Sequence, residues 1–377
     1  MRAIAVVAPL ALSTSTHAQS NVTLYGLVDT GIDYASNVVN ASNGSIVPGS
    51  GGHVFQAVSG VPIGSHWGLL GNEDLGGGLK TVFRLESGFN AVNGSLSATN
   101  TLFSRNAFVG VSSTQYGTLT FGKQWDAIVD VVEPLTLNGN LGGWYFSHPN
   151  DVDNTDNGFS INNDIKYTSP SFDGFKFEGH YSFGGQAGQF SNNAAYGGGA
   201  SYSIGDFSAG IAYLRVNNPE VAVAGYQSGG GYVNEVYGNA LAEARSQGIL
   251  AVGASYQFGK FKLLGDLTST RFQDGNAGHD VTFQNYELSA IYSPTAALTL
   301  AGGYTYTTGS DHATDKSPKY QQLNLIAQYA LSKRTDVYVM TALQRADGDA
   351  QFAQIAGLNP SSTNKQAVGR IGLTHRF

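Results

Sequence analysis

Apolar and polar residues alternate with a period of two along most of this chain. Phe175, Phe177, Tyr181 and Phe183 fall on one side of such a run, and Lys176, Glu178, His180 and Ser182 on the other. Phe261, Leu263 and Leu267 oppose Lys262 and Asp266; Leu298, Leu300, Tyr304 and Tyr306 oppose Thr299, Thr305 and Thr307; Leu323, Leu325, Ala327 and Tyr329 oppose Gln322, Asn324 and Gln328. Successive side chains of a strand point to opposite faces, so each run predicts a strand with one apolar and one polar wall. Sixteen strands are expected, starting near residues 21, 64, 79, 101, 118, 161, 175, 194, 206, 246, 260, 283, 297, 320, 335 and 365. The runs are about 10–12 residues long, where strands of globular proteins average about 5–6.

Aromatic residues gather near the ends of these runs, and the connections alternate in length. Residues 169–174, 293–296 and 332–334 are short; residues 36–62, 217–245 and 347–364 are long. Membrane barrels combine aromatic girdles with short turns on one side and long loops on the other. Tyr25, Asp29, Arg84 and Glu86 place polar groups on the walls where a water-soluble sandwich would be dry. The expected fold is all-β: a 16-stranded antiparallel transmembrane β-barrel. An even strand count closes the sheet and leaves no edge in lipid, and sixteen strands enclose an aqueous channel.

Composition narrows the classes further. The 377 residues include 50 Gly and no Cys, and only 12% are charged. The absence of Cys excludes a disulfide scaffold and thiolate metal sites. With 20 Lys and Arg against 27 Asp and Glu, the net charge is −7, and no basic block suggests a nucleic-acid partner. Arg2, an apolar stretch over residues 3–12 and the small residue Ala18 predict an export signal at 1–18, cleaved after Ala18, ahead of a barrel domain at 19–377. The apolar stretch is too short to span a bilayer as a helix. No Ser is flanked by Gly at both −2 and +2, no H-E-x-x-H is present, and the triple glycine at 76–78 does not open a helix. No catalysis, cofactor or metal site is expected.

Several segments, in order, resemble Gram-negative general porins, particularly the β-proteobacterial type. VTLYGLVD at 22–29 resembles their first strand, and GNEDLGGGLK at 71–80 their first periplasmic hairpin. NAFVGV at 106–111 and GTLTFGKQW at 117–125 are similar to the fourth and fifth strands, and NNDIKYTSP at 162–170 to the strand after the constriction loop. YALSKRTDV at 329–337 and GRIGLTHRF at 369–377 are similar to the last strands. The resemblance implies passive diffusion of small hydrophilic solutes and ions across the outer membrane of a Gram-negative bacterium. It also implies a homotrimer among outer-membrane lipid, and Phe377 as the signal read by the outer-membrane assembly machinery.

The resemblance further implies that residues 127–160, the longest connection, form a third loop folded into the barrel. They carry Asp130, Glu133, Asp151, Asp153 and Asp156 and neither Lys nor Arg. The expected constriction sets Arg84, Arg105, Lys123 and Lys166 on the wall against Asp126, Asp130 and Glu133 on the loop side, with Asp29, Glu86 and Asp164 as further lining. The chain also departs from the family pattern. Both arginines usual at 65–71 are missing, Asp164 replaces a usual Ser, and Thr374 stands where Arg is frequent. Cation preference is therefore expected from the summed field, with His66 adding positive charge at low pH. A solute-specific porin, with Trp67, Trp125 or Trp144 touching a sugar, and an exported β-sandwich binding protein remain alternatives.

Overall fold

A computed structural model describes residues 21–39, 46–222, 241, 243–275 and 278–377. The export signal expected at 1–18, Ala18 included, lies outside the described residues. The described chain is a single closed sheet in which every strand pairs antiparallel with its neighbours. Its strands are β1 (Asn21–Val38), β2 (Gly52–Ser59), β3 (His66–Gly76), β4 (Leu79–Gly88), β5 (Asn106–Ser113), β6 (Gly117–Gln124), β7 (Ile161–Thr168) and β8 (Phe175–Ser182). They continue as β9 (Ala195–Ile204), β10 (Phe207–Asn217), β11 (Ser246–Phe258), β12 (Phe261–Gln273), β13 (Val281–Tyr292), β14 (Leu298–Asp311), β15 (Pro318–Ala330), β16 (Thr335–Gly348) and β17 (Lys365–Arg376).

Seventeen segments fill sixteen places in the wall, because β2 and β3 share one. The upper part of β1, from Thr30, pairs with β2, and its lower part, up to Leu27, pairs with β3. Pro62, which has no N–H for the ladder, lies in the break between them. Asp29 holds that break in place: its carbonyl accepts from the Gly60 N–H at 3.0 Å and its carboxylate from the Val61 N–H at 3.2 Å. The expected long connection at 36–62 is thus partly strand, since β1 runs on to Val38 and β2 lies inside it.

The alternation expected from sequence is that of an inside-out protein. On β13, Asn285, Glu287 and Ser289 are buried while Leu288 is 71% exposed. Polar walls line the interior and apolar walls face outward, the arrangement lipid demands. Aromatic side chains mark the rims: Phe261 stacks on Tyr292 with centroids 4.3 Å apart, and Tyr181 stacks on Phe190 and Tyr196. Closure joins β1 to β17, with Asp33 opposite Arg370 and Asp29 opposite Thr374. Gly26 and Phe377 exchange two backbone hydrogen bonds at the lower end of that seam, at 3.2 and 3.0 Å.

Candidate functional site

The connection between β6 and β7 folds inward as short helical turns: Ile128–Val132, Glu133–Leu135, Asn138–Gly142, Gly143–Phe146 and Pro149–Asp151. Local sequence explains why it adheres to the wall. Ile128, Val131, Val132 and Leu135 are apolar and buried, against an apolar inner patch that includes Ala212, Leu214 and Ile249. Glycines in the wall leave room for them. A Cβ at Gly210 would sit 2.7 Å from a Val131 methyl, and one at Gly253 would sit 3.0 Å from the Leu135 Cβ. Polar contacts complete the attachment. The Leu137 N–H donates to Glu287 Oε1 at 2.8 Å, Gln247 Nε2 to the Val152 carbonyl at 2.8 Å, and the Tyr145 hydroxyl to Asp33 Oδ2 at 2.5 Å. The loop is thus held to several sides of the barrel.

A cleft of about 560 Å³ remains between the loop and the β2–β5 side, lined in part by Arg105, Glu133, Asn138, Trp144, Asp156 and Asn157. On the wall, Glu86 is engulfed by cations and a phenol. Arg105 Nε donates to its Oε1 at 2.6 Å; Arg84 Nη2 and the Tyr25 hydroxyl each reach its Oε2 at 2.5 Å. Arg105 also lies over the Trp125 ring, 5.2 Å from the centroid. Two guanidiniums share one carboxylate, which leaves an excess positive charge. Lys123 adds to it, because its Nζ donates to the neutral Asn162 side chain at 3.0 Å.

The loop side answers with less charge than its composition implies. Glu133 and Asp156 are half-buried in the cleft. Burial, reinforced by Asp156, pushes Glu133 well above the carboxylate range, and burial pushes Asp156 up to about 8. Both shifts favour the neutral carboxyl over the carboxylate. Asn157 Nδ2 donates to Glu133 Oε1 at 2.6 Å.

The expected site residues divide into three groups. Arg105 and Glu133 line the cleft, and Arg84 and Glu86 are bonded to each other and through Glu86 to Arg105. Lys123 borders the adjoining recess beside Ser160 and Gly158. Lys166 and Asp130 form an ion pair with each other, and Lys166 also donates to the Trp125 carbonyl at 2.9 Å.

Asp126, Asp29 and Asp164 are buried and do not line open space. Asp126 accepts from the Ile128 N–H and from Asn154 Nδ2, fastening the root of the loop. Asp29 is bound by Arg370, Tyr338 and Thr374, and Asp164 faces His180 at 3.1 Å. Asp29 and Asp164 lie on strands and Asp126 at the root of the loop, and neighbours cover all three.

Sequence reasoning did not name Arg370, and it placed Lys262 on a polar wall and Asp156 in the loop without assigning either to the constriction. Arg370 falls on the polar side of its strand, so alternation would have found it. Lys262 Nζ meets Asn140 of the loop at 3.1 Å. Thr374, noted as lacking the usual Arg, is the donor of a 2.6 Å hydrogen bond to Asp29.

Comparison with known proteins agrees with this geometry. A family model described as Gram-negative porin matches residues 3–349. An outer membrane porin protein of Bordetella pertussis is 30% identical, with 96% of each chain covered. Outer membrane porin protein 32 of Delftia acidovorans is 28% identical over 100% of this chain and 99% of its own. Among solved structures, an anion-selective porin from Comamonas acidovorans superposes with a TM-score of 0.74 at 25% identity, covering 95% of this chain and 100% of that one.

Proposed function

The chain belongs to the Gram-negative porin family, and from that premise we propose a diffusion channel constricted where Arg84, Arg105 and Lys123 face Glu133 and Asp156, with a preference for anions at neutral pH. It is an outer-membrane protein of a Gram-negative bacterium and a channel, not an enzyme. Small hydrophilic solutes and ions would pass down their gradients, sorted by size and charge at the cleft. The observation that carries the charge reading is the imbalance around the cleft: Arg105 in its lining, with Arg84 and Lys123 beside it, against the single bound carboxylate Glu86. Fixed charge in a narrow passage sets ion preference.

The expected cation preference loses its support at this point. It counted loop carboxylates as bare charges, yet Asp130 is paired with Lys166, Asp126 is buried, and Glu133 and Asp156 are shifted toward their neutral forms. The anion-selective porin among the similar structures leans the same way.

Wall height supports a homotrimer. Strands β5 to β8 have 8 residues each, while β11 to β17 have 12 to 14. At about 3.3 Å per residue and a tilt near 40°, eight residues rise only about 20 Å, short of the roughly 25 Å apolar band. Three low walls meeting at a common axis would remove that mismatch. Residues 1–18 as a cleaved export signal, and Phe377 as a contact for the assembly machinery, complete the reading.

Single-channel recording in a planar bilayer under a salt gradient tests it. The expected result is open steps with a reversal potential of anion sign. Steps of cation sign would keep the channel and discard the charge reading. Absence of steps from folded protein would overturn both.

A further inference from the structure

The cleft does not use one fully buried ionisable group of the loop. His148 is fully buried, and its Nδ1 lies 2.6 Å from Asp153 Oδ2. Its other nitrogen, Nε2, points at the wall strands β12 and β13. There it meets Asp266 Oδ2 at 3.7 Å and Glu287 Oε2 at 3.9 Å, beyond hydrogen-bond reach of either. His148 Nε2 and both carboxylate oxygens of Asp266 are buried without any hydrogen-bond partner. One ligand atom from each of His148, Asp266 and Glu287 lies within 4.8 Å of the others. A buried polar atom without a partner is costly, and more so when charged, so three around one small space point to a shared ligand.

We propose that His148, Asp266 and Glu287 form a divalent transition-metal site of the zinc type, which clamps the inward loop to β12 and β13. The donor set is one imidazole nitrogen and carboxylate oxygens, which suits Zn²⁺. Bonds of about 2.0–2.2 Å place neighbouring ligands of a tetrahedron about 3.3–3.6 Å apart, so the two spacings from His148, at 3.7 and 3.9 Å, close by a few tenths of an ångström, and the two carboxylates, within 4.8 Å of each other, by about 1 Å at most. Asp266, with both oxygens free, can bind through one or two, and water completes the shell.

The surroundings are those of a ligand set. Asp153 sits behind the imidazole and orients it, as carboxylates do behind metal-binding histidines. Asp153 is itself fixed by the Thr268 hydroxyl at 2.5 Å, by Asn285 Nδ2 at 3.0 Å and by the Thr155 hydroxyl at 3.0 Å. Glu287 is fixed by the Leu137 N–H at 2.8 Å and the Ser289 hydroxyl at 3.0 Å. Asp153, Asp266 and Glu287 thus surround one imidazole.

The competing occupant is that proton. Burial alone would lower the basicity of His148, but its three acidic neighbours push it up to about 10. Metal binding must displace this proton, so affinity rises with pH.

The test refolds the full chain into detergent with EDTA or with Zn²⁺, because the closed site is filled most readily during folding. After removal of loose metal, elemental analysis should find one Zn²⁺ per chain. Anomalous scattering from crystals should place it between His148 Nε2, Asp266 and Glu287. Asp266→Asn and Glu287→Gln should each lower occupancy at a limiting Zn²⁺ concentration at least tenfold, while His279→Gln, at a half-exposed imidazole elsewhere, should not. No stoichiometric metal in the folded wild-type chain, or an anomalous peak elsewhere, would overturn the proposal and leave the protonated imidazole as the occupant. The wild-type measurement decides the matter even if a variant fails to fold.

Discussion

Arg370 illustrates how one residue can close a barrel. Its side chain is fully buried; Nη1 donates to Asp33 Oδ1 at 2.6 Å, Nη2 to Asp29 Oδ1 at 3.0 Å, and Nε to the Tyr338 hydroxyl at 2.8 Å. Removing one partner of a buried ion pair costs about 3–5 kcal/mol, because the remaining charge is left bare. Arg370→Met strands two carboxylates and should lower unfolding stability by about that much, read from the urea midpoint of tryptophan fluorescence in detergent. A loss below about 1 kcal/mol, the range of an exposed pair, would mean that water replaces the guanidinium. Asp156 makes a different prediction. It is protonated below about 8 and charged above, so raising the pH from 6 to 9 adds negative charge to the cleft. Anion preference should fall over that window, and Asp156→Asn should blunt the fall. An unchanged pH response in the variant would remove Asp156 from the constriction.

The inward loop is built by its partners as much as by itself. Its turns are short and irregular, and the wall supplies the space through Gly210, Gly253 and Gly199. Gly210→Val should push the segment Ile128–Val132 off the wall and change the single-channel conductance. Ile211→Val, at a neighbouring outward position that is 49% exposed, should leave conductance as it was. Equal conductance in both would show that the loop is held by its polar contacts alone. The one wall segment that alternation missed, β2, has a physical excuse. Its burial pattern shows no clean inner and outer face, and only pairing with the upper part of β1 makes it a strand. Sixteen starts were otherwise legible to within about five residues, since each strand carries its own two-residue period.

At the scale of the molecule, the barrel has a low side and a high side. Val109 pairs with Phe121 on the low wall, both exposed. Leu288 stands on the high wall. A Lys at mid-bilayer costs about 2–4 kcal/mol on a lipid-facing wall. Val109→Lys should therefore shift the protein in mild detergent from trimer to monomer, as read by sedimentation, whereas Leu288→Lys should reduce insertion yield and leave the trimer intact. Dissociation by Leu288→Lys alone would put the interface on the opposite side.

The sequence by itself determined the strands, their number in the closed wall, the sidedness of the turns and the acidic composition of the longest loop. These depend on spacing between near neighbours, which survives in a string of letters. The tertiary structure decided which charges remain charges. Arg370 and Asp29 are 341 positions apart, and Leu137 and Glu287 are 150 apart. His148 meets Asp266 and Glu287 only because the loop folds back across the barrel. Whether a carboxylate is bare, paired or protonated depends on burial and on partners brought by closure, and neither is encoded in local period. Counting the acidic residues of the loop therefore suggested a cation path, while the proposed anion path rests on their placement.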